Sequence, residues 1–427
     1  MSRDIHPPKW LPSCLQVIAT LLVLTGAPVR GEDVLEDANW QASRDPVAML
    51  WRRVAAGQTK LDTSSDKAFL GSLLRELDVP VESQVLVFSK TSLQKSLIGP
   101  ATPRALYFNE ECYIGWVQGG DVEVVSSEPG GDLQYYLIHR PGPSPAQPRL
   151  IRSNQCASCH VGGELQVQSV FTRPSGYPMG NEDRFVTSFE SPLSERWGGW
   201  YVTGRHGGDF HMGNVTTETG PKGMVLDRKQ GANLESLTGW FPVEPYLTGT
   251  SDLVALMVLE HQYVLHNALQ DAARVVRRML ERKDNSDAPD EAARQRVVTK
   301  RAEKIVELLL FTGEYPLKDG GVAGGDAFQN AFRRNRKTST HGASLKDFDL
   351  HSRIFTHRCS YMIHSATFKA MPQILKARVY ALLDDALSGR GGTDYAHLDA
   401  VECQSIRQIL IDTESEIRAA WASKPES

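Results

Sequence analysis

The sequence has little net charge, few cysteines and no long hydrophobic run. Its 427 residues include 47 basic and 51 acidic side chains, which give a formal net charge of −4. This balance lacks the global cationic field that non-specific nucleic-acid binding requires, so we expect no nucleic-acid partner. The hydrophobic share of 41% and the aromatic share of 8% are ordinary for globular proteins. A disordered chain, a collagen and a polytopic membrane protein are therefore excluded.

The most apolar segment lies near the N-terminus and is too short for a confident membrane span. Arg3 and Lys9 precede an apolar stretch over residues 11–24, which is the arrangement of a secretory signal peptide. Small residues follow, and we expect cleavage after Gly31. The sequence therefore predicts a signal peptide over residues 1–31, a periplasmic or otherwise exported protein, and no stable membrane span after cleavage. An uncleaved anchor is the alternative.

Two of the six cysteines belong to a C-x-x-C-H motif, Cys156-Ala157-Ser158-Cys159-His160. This pattern is typical of c-type haem attachment. The two thiols add to the two vinyl groups of the porphyrin, and the neighbouring histidine reaches the iron from the proximal side. We therefore predict one covalently attached haem c, with Cys156 and Cys159 as the thioether positions and His160 as the proximal iron ligand.

A redox dithiol and a zinc half-site are the competing interpretations of this motif. A thioredoxin-like thiol pair stands at the start of a helix after a buried strand. Here residues 148–154 do not form the pattern of a core strand, and Val161-Gly162-Gly163 is a poor helix opening. A zinc site needs a second pair of ligands, whereas the other cysteines are isolated in the sequence.

The sixth iron ligand is open between several residues that follow the motif. A histidine or methionine there gives an iron suited to electron transfer, whereas an open position permits ligand chemistry. His211 and Met212 are the leading candidates, because they lie in a glycine-rich loop sequence that can aim side chains into a site. Met179 is a weaker candidate. We expect His206 to be a loop residue and His261 to be a hydrogen-bonded core histidine.

Hydrophobic periodicity predicts an α+β fold. Residues 45–77 have two helical segments, and a run of strand-type segments with glycine-rich turns then indicates an antiparallel β meander. Its predicted strands are 85–88, 105–108, 113–117, 122–125 and 133–138. Strand-like segments at 166–171 and 200–203 alternate with loops, which indicates a haem segment held against the sheet by loops. We expect a β-rich haem c-binding domain over 32–250 and a helical domain over 251–427.

The helical region is predicted from its caps and apolar faces. Ser251 or Asp252 can cap a helix that reaches about residue 282, and a second helix is expected from Asp287. A third covers about 372–387, and a fourth follows Asp399, whose spacing to Glu402 fits a capping pair.

A glycine-rich basic loop is predicted at 313–342. It contains Arg333-Arg334-Asn335-Arg336-Lys337, which is either a solvated surface segment or a docking patch for an acidic redox partner.

The remaining cysteines of the mature chain are Cys112, Cys359 and Cys403. One disulfide and one buried thiol is the simplest expectation for this odd set, with the pairing left open. The sequence grouping of Glu260, His261 and His266 does not have the spacing of a di-iron bundle, so we predict no second metal from it.

Several segments together resemble a group of exported bacterial cytochrome c domain-containing proteins. The Trp-Gly-Gly-Trp sequence is the most specific of them. The segments are 84–92, the C-x-x-C-H motif, 195–204, 211–214 and 359–363. The resemblance covers most of the mature chain and implies haem binding and electron transfer through Cys156, Cys159 and His160. It implies no substrate.

The leading functional hypothesis is an exported monohaem c-type cytochrome that passes electrons to a redox partner protein. The alternative is a haem enzyme, peroxidase- or oxidase-like, with an open or exchangeable sixth iron position. About three hundred residues beyond what one haem site needs motivate that alternative.

Overall fold

The computed structural model of this chain describes residues 38–130, 132–140, 148–153, 156, 164–180, 184–220, 223–225, 227, 229, 231–281 and 290–422. The predicted signal peptide lies outside these residues, as do Cys159 and His160. Predictions that concern them stay predictions.

Antiparallel strands form a seven-stranded sheet in the described part of the chain. The strands are β1 (Val85–Val87), β2 (Arg104–Phe108), β3 (Cys112–Trp116), β4 (Val122–Ser127), β5 (Leu133–His139), β6 (Arg149–Arg152) and β9 (Trp200–Tyr201). Their order in the sheet is β6-β5-β4-β3-β2-β1-β9, so that six strands follow one another in sequence as a meander and β9 is added beside β1. Two hairpins stand apart from this sheet, β7 (Gln168–Val170) with β8 (Arg184–Val186) and β10 (Glu218–Gly220) with β11 (Gly223–Val225).

Helices precede and follow the sheet in the sequence. The first two are α1 (Pro46–Ala55) and α2 (Asp66–Glu76). After the sheet come α3 (Leu253–Glu281), α4 (Glu291–Leu309), α5 (Asp326–Arg333), α6 (Ala366–Lys369), α7 (Gln373–Leu387), α8 (Ala400–Thr413) and α9 (Ser415–Ala422). Short 3₁₀ segments lie at Ala38–Ala42, Val81–Ser83, Leu193–Glu195, Tyr361–His364 and Gly392–Tyr395.

The alternation of side chains along the strands gives the sheet two different faces. On the first face, residues such as Tyr107, Ile114 and Tyr136 are fully buried in a core that includes apolar residues of α1 and α2. On the second face, Val85 and Phe108 join a larger core built around α3. The register places Leu106, Gly115, Glu123 and Leu137 side by side on this second face. That row forms part of the site described below.

The structure confirms the predicted α+β fold and its antiparallel meander. It also confirms two helix caps. Asp252 accepts hydrogen bonds from the backbone N–H groups of Val254 and Ala255 at 2.9 and 3.0 Å, and Asp399 accepts one from Glu402 at 2.8 Å. These acceptors satisfy N–H groups that have no partner within the helix.

Two sequence predictions about helices are wrong in detail. The second helix of the C-terminal region, α4, is capped by Asp290 rather than by Asp287, because the Asp290 carboxylate accepts the Ala293 N–H at 2.5 Å. The predicted loop at 313–342 contains helix α5, whose Phe328 and Phe332 are buried in the large core. Burial of these two rings in the core stabilises the helix. The glycine-rich sequence around it gives no local indication of a helix.

The large core contains residues from both sides of the predicted domain boundary at 250/251. Val85 and Trp200 from the sheet belong to the same cluster of buried residues as Leu256 and Leu309 from the helices. Among the described residues, no helix combines the length and apolarity needed to cross a membrane.

Candidate functional site

A cleft on the second face of the sheet contains the one described residue of the C-x-x-C-H motif. Cys156 is half-buried, has a helical backbone conformation and lines this cleft. It follows β6, a strand at the edge of the sheet. The enclosed space of the cleft is about 200 Å³, and its mouth is open to solvent.

Aromatic and aliphatic side chains form the walls of the cleft. Tyr135 lies on the sheet, Trp200 lies on β9, and Leu259 and Tyr263 come from α3. The segment that follows the C-x-x-C-H motif adds Leu165 and its neighbours. Such a lining suits a bulky, largely apolar ligand.

The floor of the cleft carries an ion pair that crosses one strand. Arg104 on β2 reaches over Gly115 on β3 and pairs with Glu123 on β4. The Glu123 carboxylate also accepts hydrogen bonds from Gln94 at 3.1 Å and Ser92 at 3.4 Å. A Cβ atom at position 115 would lie 2.7 Å from Cζ and 2.8 Å from Nε of Arg104, and closer still to Nη2. Only glycine leaves room for the guanidinium at this place.

The chemistry of the lining suits a haem. The walls are mainly apolar, the two charges on the floor are paired with each other, and a cysteine lies at the lining. Walls of this kind would keep water away from the iron of a bound haem, which is one way a protein sets a redox potential.

A buried polar network lies behind the cleft, between the sheet and α3. Gln262 Nε2 donates to the Tyr113 oxygen at 3.0 Å, so the Tyr113 hydroxyl donates to His266 Nδ1 at 3.0 Å. His266 Nε2 lies 2.9 Å from the Ser127 hydroxyl, and burial lowers the pKa of His266 to about 4. His266 is thus neutral and hydrogen-bonded on both nitrogens.

His261 is a buried core histidine, as the sequence predicts. Its Nε2 lies 2.7 Å from the Ser360 hydroxyl, and its ring stacks on Phe311 with the centroids 4.0 Å apart. The described residues include no group of three or more histidine, cysteine or acidic side chains that could hold a metal ion.

Glu260, the neighbour of His261, forms a fully buried ion pair with Arg196 across 3.2 Å. The Thr187 hydroxyl donates to Glu260 at 2.7 Å. Burial raises the pKa of Glu260 to about 7, against the opposing effects of Arg196 and Thr187. Arg196 is also held by the backbone carbonyls of Ser191 and Phe189, at 2.7 and 2.8 Å. The pair therefore fixes the loop before β9 to helix α3.

The two candidates for the sixth ligand do not line the Cys156 cleft. Met212 lines a separate pocket with an enclosed space of about 210 Å³, together with Ser169 and Phe171. Strand β7 separates the two spaces, because Gln168 lines the first and Ser169 the second. Their role at the iron stays a prediction, since His160 lies outside the described residues.

His211 is buried in an aromatic environment. Its ring contacts Trp197 and His206, with centroid distances of 5.4 and 4.7 Å. Burial, aided by His206, lowers the pKa of His211 to about 3. Its Nδ1 accepts the Gly213 N–H at 3.0 Å, which places the proton of the neutral ring on Nε2. Iron ligation through Nε2 therefore requires loss of that proton or a turn of the ring.

The other two histidine and methionine candidates are loop residues. His206 is buried, and its Nε2 accepts the Asn233 N–H at 3.3 Å. Met179 donates its backbone N–H to the Phe171 carbonyl at 2.8 Å. Neither lines the Cys156 cleft.

The Trp-Gly-Gly-Trp sequence has a structural explanation. The Gly199 carbonyl accepts hydrogen bonds from the N–H groups of Phe88 and Ser89 at 2.8 and 3.0 Å, and Gly199 has a φ of +80°. Trp197 is fully buried with a φ of +66°, a conformation that is unfavourable for a bulky residue. The close backbone contact places Trp200, and hence one wall of the cleft.

The remaining described cysteines are free thiols. Cys112 and Cys359 are fully buried, whereas Cys403 is partly exposed. Burial raises the pKa of Cys112 to about 12 and raises the pKa of Cys359. The expected disulfide is therefore absent among the described residues, and none of these three thiols has the lowered pKa of a reactive cysteine.

The basic segment at 333–337 is not a free cationic patch. Arg333 and Arg336 contact Asp347. Arg334 pairs with Asp78 at 2.6 Å, and Lys337 pairs with Glu414 at 2.6 Å. Since each of these cations has a carboxylate partner, the segment gives the docking interpretation no support.

Comparison with protein-family models, curated proteins and solved structures finds no match to this chain. The resemblance to exported cytochrome c domain-containing proteins therefore stays a prediction.

Sequence reasoning missed the floor of the cleft. Arg104, Gly115 and Glu123 belong to three different strands, and the sequence separates them by many residues. The available indication was an arginine, a glycine and a glutamate at positions that alternate with core residues. That pattern shows which residues share a face but not which of them meet.

Proposed function

We propose that this protein is an exported monohaem c-type cytochrome that carries electrons. The observation that carries the proposal is the motif Cys156-Ala157-Ser158-Cys159-His160 together with the position of Cys156 at a mainly apolar cleft. A bound haem supplies a reversible one-electron couple, and the protein supplies ligation, burial and tuning. The resemblance of several segments to exported cytochrome c domain-containing proteins points the same way.

Each residue of the motif has a separate task in this proposal. Cys156 and Cys159 hold the porphyrin through thioether bonds, and His160 holds the iron from the proximal side. Trp200 and Tyr263 shield the ring from water at the cleft walls. The partner is a redox protein of the same exported compartment, and the predicted signal peptide over 1–31 delivers the chain there.

Covalent haem attachment is the direct test. The full chain is expressed in a host that exports it and attaches haem c, and the purified protein is analysed as a pyridine haemochrome after extraction with acidic acetone. We expect a c-type spectrum that resists extraction, with one haem for each chain. Cys156→Ser and Cys159→Ser lower the yield of attached haem, because each removes one thioether.

Cys403→Ser is the matched control, since Cys403 is a partly exposed cysteine outside the motif. It should load haem like the wild type. A colourless protein with free Cys156 and Cys159 thiols contradicts the proposal. Stoichiometric zinc in that protein then indicates the zinc interpretation, and a reversible disulfide between the two thiols indicates the dithiol.

A haem enzyme is the second candidate, and one observation favours it. The described residues that line the Cys156 cleft include no histidine or methionine, so none of them can complete a low-spin iron in the usual way. The reduced protein with and without carbon monoxide separates the candidates. Low-spin iron that does not bind carbon monoxide supports electron transfer, whereas iron that binds carbon monoxide readily supports an enzyme with an open sixth position.

The spectra of His211→Ala and Met212→Ala identify the sixth ligand if the iron is low-spin. The variant that lacks the ligand shifts to a high-spin spectrum and acquires carbon monoxide binding. If neither variant changes the spectrum, both residues are excluded as the ligand.

A further inference from the structure

The enclosed part of the Cys156 cleft is small. Its volume is about 200 Å³, and an apolar cavity of roughly 150 Å³ holds one benzene ring. A single ring with a short substituent therefore fits this space, whereas several fused rings do not. The size of the space selects a class of small ligands.

Apolar side chains surround this space. Leu106 on β2 and Val125 on β4 line it from the sheet, and Leu165, Trp200 and Leu259 line it from the other elements. The last three are buried in the large core, whereas Leu106 and Val125 are only partly buried against it. A ligand that covers such surfaces removes apolar area from water, which favours binding.

The charges of the lining are paired with each other. Among the described residues around the cleft, the charged side chains are Arg104 and Glu123, which form an ion pair. The Arg104 Nε atom has no hydrogen-bond partner, but it is closed off from solvent and therefore from a ligand in the cleft. A charged ligand would lose its hydration without gaining a free counter-ion. The lining therefore favours an uncharged ligand.

Two aromatic side chains of the walls use their polar groups elsewhere. The Tyr263 hydroxyl donates to the Thr187 carbonyl at 2.5 Å, and the Trp200 indole donates to the Gln168 carbonyl at 2.7 Å. Their contribution to the cleft is therefore ring surface. Aromatic rings pack against one another more favourably than their buried area alone predicts. These walls favour an aromatic ring over an aliphatic ring of the same size.

We propose that the enclosed part of the cleft binds a small, uncharged molecule with a single aromatic ring. This inference goes beyond the proposed function, because a haem is larger than the enclosed space and electron transfer requires no such ligand. It gives the haem-enzyme candidate a class of substrate, since a molecule in this space lies in the cleft that Cys156 lines.

Toluene is the probe, and isothermal titration calorimetry measures its binding to the full chain produced without haem attachment. We expect saturable binding at one site by the wild type. The Kd of Leu106→Phe should be about tenfold higher, because the larger side chain fills space that toluene needs. Leu106 suits this test because it lines the cleft and is only partly buried against the core.

The opposite substitution tests the size limit. Leu106→Ala enlarges the space, so it should bind naphthalene about tenfold more tightly than the wild type does. Fluorescence of naphthalene measures this binding. A gain of affinity for the larger molecule cannot result from general loss of structure, so Leu106→Ala keeps the proposal testable if Leu106→Phe does not fold.

Leu280 provides the matched controls, because it is 38% exposed and lies outside the cleft. Leu280→Phe and Leu280→Ala repeat the two substitutions there and should bind both probes like the wild type. Circular dichroism checks that each variant is folded.

Two further probes separate the properties of the ligand. Benzoate keeps the ring and adds a charge, and methylcyclohexane keeps the size of toluene without the aromatic ring. Both should bind more weakly than toluene. The proposal is overturned if the wild type binds no toluene, if Leu106→Phe binds it within twofold of the wild type, or if Leu106→Ala gains no affinity for naphthalene. It is also overturned if benzoate or methylcyclohexane binds as tightly as toluene.

These outcomes differ from those that test covalent haem attachment. Toluene binding by a chain that stays without haem even in the host that attaches it refutes the proposed function and supports the ligand site. Covalent haem in that host, with no toluene binding by the haem-free chain, supports the function and refutes the ligand site.

Discussion

At the residue scale, Arg196 and Glu260 form a buried ion pair between the loop before β9 and helix α3. Their side chains are 2% and 0% exposed. A buried ion pair gains little over apolar residues of the same shape, but removal of one partner leaves the other charge without compensation. Arg196 also donates hydrogen bonds to two backbone carbonyls. Its loss therefore leaves these two carbonyl oxygens, as well as the Glu260 carboxylate, without this donor.

Arg196→Ala is therefore expected to lower the free energy of unfolding by about 3–5 kcal/mol. Arg205→Ala is the matched control, because Arg205 and Glu235 form an ion pair with both side chains about 70% exposed or more. That variant should change the free energy by no more than about 0.5 kcal/mol. Urea unfolding followed by circular dichroism measures both. Equal effects of the two substitutions contradict a structural role for the buried pair.

His261 gives a dependence of stability on pH. Burial lowers its pKa from 6.5 to about 3 in the folded state, so the unfolded chain binds more protons between these values. Stability contributed by the neutral ring is present above pH 6.5 and is lost as the pH falls towards 3. The His261→Gln variant lacks this pH-dependent contribution, because glutamine does not titrate. Its amide can still form a hydrogen bond with Ser360.

The measurement is the free energy of unfolding of wild type and His261→Gln at several pH values. The advantage of the wild type should decrease by about 1.4 kcal/mol for each pH unit below 6.5. Burial raises the pKa values of Glu260 and Glu314 to about 7, so these two groups change the stability with pH in the opposite direction. Both proteins contain them, and their contributions therefore cancel when the two free energies of unfolding are subtracted. A difference that stays constant from neutral to acidic pH contradicts the expectation.

At the scale of elements, the Trp-Gly-Gly-Trp segment connects three parts of the fold. Gly199 bonds to the chain just after β1, Gly198 accepts the Val170 N–H of β7 at 2.9 Å, and Trp200 begins β9. The Trp200 indole donates to the Gln168 carbonyl at 2.7 Å. These contacts fix β7 and β9 together, and both elements contribute to the cleft.

Gly199→Ala is expected to destabilise the protein more than Gly57→Ala. Both glycines have positive φ, +80° and +69°, and an alanine there costs about 1–2 kcal/mol in backbone strain. At position 199 the new Cβ atom also lies 2.6 Å from the Ser89 Cβ, whereas at position 57 it meets nothing within 4 Å. This overlap adds about 1–3 kcal/mol.

Urea unfolding of the two alanine variants measures the comparison, with Gly57→Ala as the control for backbone strain alone. If both variants are destabilised equally, the Trp-Gly-Gly-Trp segment accommodates the new Cβ atom without a cost in free energy. Steric overlap with Ser89 then does not explain the glycine at position 199.

At the scale of the whole molecule, the described residues from 38 onwards lie in one compact unit. The large core joins strands on one side of the predicted boundary at 250/251 with helices on the other. Gln262 and His266 of helix α3 hydrogen-bond to Tyr113 of β3, each at 3.0 Å. Tyr263 of the same helix donates to the Thr187 carbonyl at 2.5 Å. Loss of either part exposes the apolar surface of the other.

We therefore expect the regions 32–250 and 251–427 to unfold in one transition. Tryptophan fluorescence and far-ultraviolet circular dichroism should give the same urea midpoint. Separate midpoints for the two probes indicate instead that the helical region is stable by itself.

The local features of this fold were predictable from short stretches of sequence. The alternation in β2–β5 gives the strands, and Asp252 and Asp399 start their helices because a carboxylate just before a helix accepts N–H groups that lack partners. Helix α5 was not predictable in this way. Its residues lie among glycines and basic side chains, and the rings of Phe328 and Phe332 stabilise it only by contact with distant parts of the chain.

The sequence by itself determined the class of the fold, the caps at Asp252 and Asp399, and the motif from Cys156 to His160, because each depends on residues within a few positions of one another. Only the tertiary structure decided that Arg104 lies over Gly115 and meets Glu123, and that Arg196 meets Glu260. Strand register and helix packing set those contacts. Both follow from burial of the whole apolar surface at once, and no local pattern contains that information.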